Sequence, residues 1–124
     1  RGLEVSTSEQ SRASALGDQG LVLWNLMMGA AKRELKEADI FLSELQESRL
    51  GVHMVALVNR QQKRELFPEI EEALMNEISL WGWAVAERTT TYLNLPEWKI
   101  SKAEQFLLAI HFESAKLENS LIEP

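Results

Sequence analysis

Cysteine is absent from the 124 residues, which excludes a disulfide framework, a thiolate metal site and a cysteine nucleophile. Clustered basic charge is missing too. Thirteen Lys and Arg residues are scattered among nineteen Asp and Glu, for a net charge of −6, so phosphate-backbone binding lacks its electrostatic driver and no nucleic-acid-reading motif stands in for it. The longest mostly apolar run, Leu21 to Ala31, contains Asn25 and Gly29 and falls well short of the roughly 20 residues that cross a bilayer. No secretory signal is visible. A cytoplasmic setting fits, without membrane association. Enzyme signatures are likewise lacking: there is no Gly-rich phosphate loop, no H-E-x-x-H, no G-x-S-x-G, and no carboxylate pair in an apolar setting. The sequence therefore calls for no cofactor and argues against an enzyme.

What is present is enough apolar material, 45% of the chain, for one domain with a real core. No period-two alternation lasts long enough to suggest a strand, and no internal repeat occurs. The fold class expected is all-α, a compact bundle of four to five helices. Residues 1–19 are rich in Ser, Gly and charge and read as a flexible tail or linker. The helical domain is expected over 20–119, with 120–124 as a short C-terminal tail.

Within the domain, Trp24, Met27, Met28, Ala31, Leu35, Ala38, Leu42 and Leu45 recur at helical spacing. A break is expected between Leu35 and Ser48, with Asp39, Ser43 and Ser48 as candidate caps for the next helix. That next helix carries His53. Its inward face is expected to be Val52, Val55, Ala56, Asn59 and Leu66, while His53, Leu57, Arg60 and Arg64 align along its side. Phe67-Pro68 then starts a third long helix, with Pro suited to a first helical position and Glu69, Glu71 and Glu72 to a positive helix end. Ile70, Ala73, Leu74, Ile78, Trp81, Ala84, Val85, Tyr92 and Leu93 continue its spacing until Leu95-Pro96.

The last helix is the best marked. Ser101-Lys102-Ala103-Glu104 has the spacing of a capping box, in which the Ser hydroxyl accepts a backbone N–H and the Glu carboxylate reaches back to the N–H of the Ser. Ala103, Phe106, Leu107, Ile110, Ser114, Leu117 and Leu121 make the expected inward stripe. His111 lies roughly 80° from its centre, beside Glu104 and Ala115. His53 and His111 are the only histidines. A metal site built from them and Glu104 is disfavoured, because bundle sites use a Glu-x-x-His repeat and Leu50 and Leu108 occupy the places where Glu would stand. The ordinary role of a histidine at a helix edge is packing or capping. The tryptophans, Trp24, Trp81, Trp83 and Trp98, are core or interface aromatics in the same sense.

Three segments in register change this balance. His53-Met-Val-Ala-Leu-Val-Asn-Arg60, the Phe67-Pro68-Glu69 helix start, and Glu104-Gln-Phe-Leu-Leu-Ala-Ile-His111-Phe-Glu-Ser-Ala115 together resemble the phosphotransferase-system (PTS) regulation domain, or PRD. In that family a histidine is followed seven residues later by arginine. An aromatic-Pro-Glu helix start comes next, and a second histidine follows in a Glu-x-x-aromatic-aliphatic-x-x-His context. The resemblance spans roughly 20–119. It implies a helical bundle, often dimeric, that regulates sugar operons as part of antiterminators and activators. It also implies that His53 and His111 accept phosphoryl groups from the phosphocarrier protein or sugar-specific PTS components.

Such a role asks for a neutral imidazole with one accessible nitrogen and for a guanidinium to receive the added charge. Arg60 and Arg64 are the expected phosphate contacts. The two histidines are then expected close together across adjacent helices, each partly exposed, with Arg60 in reach of His53. The competing reading is a helical interaction or dimerisation module whose histidines only pack.

Overall fold

The computed structural model describes residues 12–65, 67 and 69–122, with side chains as far as Ser120. Among these residues there are five helices and no strand: α1 Gly17–Glu37, α2 Glu44–Lys63, the single turn α3 Glu72–Met75, α4 Leu80–Thr91 and α5 Lys102–Ile122. The all-α expectation holds. Of the expected tail, residues 1–11 lie outside the described residues. From Arg12 the chain makes a helical turn, in which Ala15 N–H and Leu16 N–H donate to the carbonyls of Arg12 and Ala13. Ala13 is fully buried in the core. Gly17, at φ +87°, redirects the chain into α1 with a backbone conformation that a side chain would strain. Folded structure thus begins before residue 20, and α5 runs past 119 to Ile122.

α1 buries Trp24, Met27, Met28, Ala31 and Leu35 as their spacing predicts. Ala38 and Leu45 of the same predicted series are exposed, because the helix has already ended. Ala38 N–H and Ile40 N–H turn back to the Leu35 carbonyl, and Asp39 takes a left-handed φ of 59°. Of the three candidate caps, Ser43 starts α2. Its hydroxyl accepts from Gln46 N–H at 3.1 Å while its own N–H donates to Gln46 Oε1 at 3.3 Å, a complete capping box.

Two expected faces are rotated. In α2 the buried residues are Gln46, Leu50, Gly51, Met54, Leu57, Val58 and Gln61, whereas Val52, Val55, Ala56 and Asn59 are only partly covered. In α5 the buried set is Ala103, Glu104, Phe106, Leu108, Ala109, Phe112 and Ala115; Ile110 and Leu117, expected inside, are exposed. The third long helix is also corrected. Glu69, Ile70 and Glu71 are not helical, Asn76–Ser79 interrupts the helix after one turn, and Ser79 caps a new helix by accepting from Gly82 N–H at 3.1 Å. Pro68 lies outside the described residues.

The four long helices form a ring in which each packs mainly on two neighbours: α1 on α2 and α4, α5 on α2 and α4. Leu35, Leu50, Met54, Leu57, Val85, Leu108 and Phe112 fill the centre at 1% exposure or less. Each such side chain contributes about 1.5–3 kcal/mol by leaving water. Trp24 Nε1 donates to the Gly51 carbonyl at 2.9 Å and pins α1 to α2. Where α4 meets α5 a side chain at Gly82 would crowd Glu113 and Ile78. A Cβ there would stand 2.5 Å from Glu113 Oε2 and 3.0 Å from Ile78 Cγ2.

Two side-chain amides secure the connections. Gln61 donates to the Lys99 carbonyl and accepts from Lys99 N–H, and Asn119 treats the backbone of Phe41 in the same way. A smaller apolar cluster of Met75, Ala103 and Phe106, joined by Phe67, Ile70 and Trp83, holds α3 against the start of α5. No helix among the described residues is long and apolar enough to cross a membrane.

Candidate functional site

α2 and α5 run antiparallel, because Arg60 near the end of one meets Glu104 near the start of the other. Midway along this seam His53 faces His111, with ring centroids 4.9 Å apart and planes tilted by 45°. Both residues are half-buried, as their places at the edges of the apolar stripes predict. The ring of His53 is the more enclosed. Its Nε2 is buried and has no hydrogen-bond partner among the described residues. Burial first, then the neighbouring His111 and Arg60, push its pKa down from 6.5 to about 4. Burial and Arg49 also lower the pKa of His111. Loss of hydration disfavours the cationic form of an imidazole, and a nearby cation disfavours it further. At neutral pH both rings are therefore uncharged and keep an unprotonated nitrogen.

Arg60 and Glu104 close one end of the seam. Arg60 Nε donates to Glu104 Oε2 at 2.8 Å and its terminal nitrogen to Oε1 at 2.6 Å. The carboxylate is only 1% exposed and the guanidinium 19%, and the guanidinium also lies over the Phe67 ring, 4.8 Å from its centroid. The capping box expected at Ser101 is thus only half formed. Ser101 Oγ accepts from Glu104 N–H at 3.1 Å, but the Glu104 side chain turns to Arg60. A buried carboxylate gains more from a two-point guanidinium contact than from one backbone N–H.

Of the two arginines expected at the site, Arg60 lies close enough to His53 to affect its charge. Arg64 does not join the pair. It terminates α2 in a left-handed conformation, eleven residues beyond His53 and so about 16 Å further along the helix axis. There it lines a cleft with Gln61, Pro96 and Lys99. The residue that sequence reasoning missed is Arg49. It stands one turn before His53 and lines a pocket of about 150 Å³ with Gln46, His111, Ser114 and Glu118. The signal was available in the spacing: Arg49 is four residues from His53, and Glu104, His111 and Glu118 follow one another at intervals of seven on α5.

No family model matches the sequence, and no curated protein matches it. The structure does have a match. A PRD-containing transcription regulator from Lactobacillus casei ATCC 334 shares the fold with a TM-score of 0.70 and 21% sequence identity, over 90% of this chain and 95% of that one. The fold is PRD-like. Because the match extends over nearly all of both chains, the PRD-like domain takes in the whole ring of helices, and the seam holding His53 and His111 lies inside it.

Proposed function

We propose that this PRD-like domain is a regulatory module whose histidine pair accepts phosphoryl groups from PTS proteins and so controls the activity or self-association of a transcription regulator. The observation that carries the reading is the 4.9 Å contact between His53 and His111. Two neutral, half-buried imidazoles share one helix seam, in a fold like that of a PRD-containing transcription regulator. A phosphoryl group placed there adds up to two negative charges between packed helices. Such a change biases helix packing or assembly by electrostatics.

The partners proposed are the phosphocarrier protein or sugar-specific PTS components in the cytoplasm, together with a second copy of the domain. The module has no turnover of its own, and the −6 charge keeps it from binding nucleic acid directly. Incubation with phosphoenolpyruvate, the general PTS enzyme and the phosphocarrier, followed by mapping of acid-labile phosphate, tests the reading. Phosphate on either histidine supports it. Absence of label under conditions that phosphorylate the carrier favours a plain helical interaction module, for which exposed Phe41, Leu45 and Leu80 offer apolar contact surface.

A further inference from the structure

The two ends of the α2–α5 seam are unlike. At one, Arg60 is committed to Glu104. At the other, Arg49 is exposed and has no carboxylate within ion-pair distance among the described residues, yet it lines the pocket onto which His111 opens. His53 does not line that pocket. We infer that His111 is the phosphoryl acceptor of the pair and that Arg49 and Gln46 receive its oxygens, while His53 and Arg60 support the seam. The inference rests on the phosphoryl-acceptor reading above and refines it to one ring and two ligands.

Access is the first ground. A donor must bring phosphorus to an exposed nitrogen; His53 has one ring nitrogen, Nε2, buried without a partner among the described residues, whereas neither nitrogen of His111 is buried in this way. Charge is the second. If Arg60 turned to a phosphoryl group it would strand the Glu104 carboxylate, buried at 1% exposure, whereas Arg49 gives up no partner. Gln46 supplies a third. It is 9% exposed, its Oε1 already accepts from Ser43 N–H, and its buried Nε2 has no acceptor among the described residues. An anion in the adjoining pocket provides the missing acceptor, and buried donors are normally satisfied. The lowered pKa of His111 agrees, since only the neutral ring has a lone pair to offer. Glu118, exposed at the same pocket, is the opposing charge that the phosphoryl group must displace toward water.

In the step itself, the unprotonated nitrogen of His111 attacks phosphorus of an N-phosphoryl donor. The new N–P bond forms as the donor's N–P bond breaks, and the bonding pair leaves with the donor nitrogen. The ring retains the proton on its other nitrogen until solvent removes it. No electrons are exchanged with an outside oxidant or reductant.

Phosphoramidate, a small N-phosphoryl donor, is the probe. The full chain and the variants H53Q, H111Q, R49Q, R49K and E118Q, each checked for helicity, are incubated with it, and phosphohistidine is located by mass spectrometry and timed by phosphorus NMR. Label should be lost in H111Q and kept in H53Q. It should form roughly tenfold more slowly in R49Q, partly recover in R49K, and form faster in E118Q. Label confined to His53, equal label on both rings, or R49Q at the wild-type rate would overturn the inference while leaving the acceptor reading intact. No label on the wild-type chain from phosphoramidate or from the PTS relay would end both.

Discussion

His53 and His111 stand with ring centres 4.9 Å apart, and the nearness of His111 makes His53 harder to protonate. Burial is the larger cause at His53 and also lowers the pKa of His111, so both rings carry less charge in the folded domain than free histidine at the same pH.

A pH dependence of stability follows. The pKa of His53 falls from 6.5 in the unfolded chain to about 4 in the fold, so between those values the unfolded state binds more protons. The stability contributed is complete above pH 6.5 and is lost as pH falls toward 4. The unfolding free energy of wild type from urea titration should drop on going from pH 7 to pH 5, by about 1–3 kcal/mol. H53Q should show a clearly shallower slope, with a residual part from His111, whose shift has the same direction.

Breaking the Arg60–Glu104 contact should be costly in proportion to its burial. E104Q leaves a partly buried guanidinium without its charge partner and is expected to cost about 2–4 kcal/mol. Lys32 and Glu47 form a contact of equal length, 2.6 Å, but at 47% and 38% exposure, so K32M should cost under about 1 kcal/mol. Thermal or urea unfolding of the two variants side by side checks the contrast.

Two glycines should respond to alanine with opposite sign. G82A drives a methyl group against Glu113 Oε2 and Ile78 and is expected to destabilise by about 1–3 kcal/mol. At Gly29 the nearest atom to an added Cβ is a nitrogen of the flexible Arg33 side chain at 3.8 Å. G29A, inside α1, should therefore stabilise by about 0.5–1 kcal/mol. Denaturant midpoints decide both.

Capping sets a fourth expectation. S43A removes the acceptor for Gln46 N–H and loosens the Gln46 side chain, at a cost of about 1 kcal/mol. The same change should alter the His111 resonance in NMR spectra, because Gln46 and His111 line one pocket. An unshifted His111 signal would count against a link between the cap and the pocket.

What could be read from the sequence was local. The α1 face was legible because Trp24, Met27, Met28, Ala31 and Leu35 are unambiguously apolar and all buried. The α5 face expected from the sequence is rotated from the observed one because Glu104 looks solvated in sequence, whereas its charge is met by Arg60, 44 residues earlier. A carboxylate on the inward side moves the apparent centre of the stripe. In α2 the inward side includes Gly51 and Gln61, and Gln61 is buried because its amide brackets the backbone of Lys99. The break before α4 was concealed by continuous apolar spacing across Ile78, although Ser79 carried the cap. The edge positions of both histidines survived these errors. Arg49 was missed because its neighbour in space, His111, lies on another helix.

The closure of the seam at Arg60 and Glu104 also bears on how the chain can change over descent. Replacing either residue alone leaves a charge stranded among packed helices, while replacing both with apolar side chains of matching volume can be nearly neutral. The effect of changing one of these two positions, separated by 44 residues in the chain, thus depends on the residue at the other. A lineage that loses one of them must pass through a weakened intermediate or acquire the second substitution at the same time.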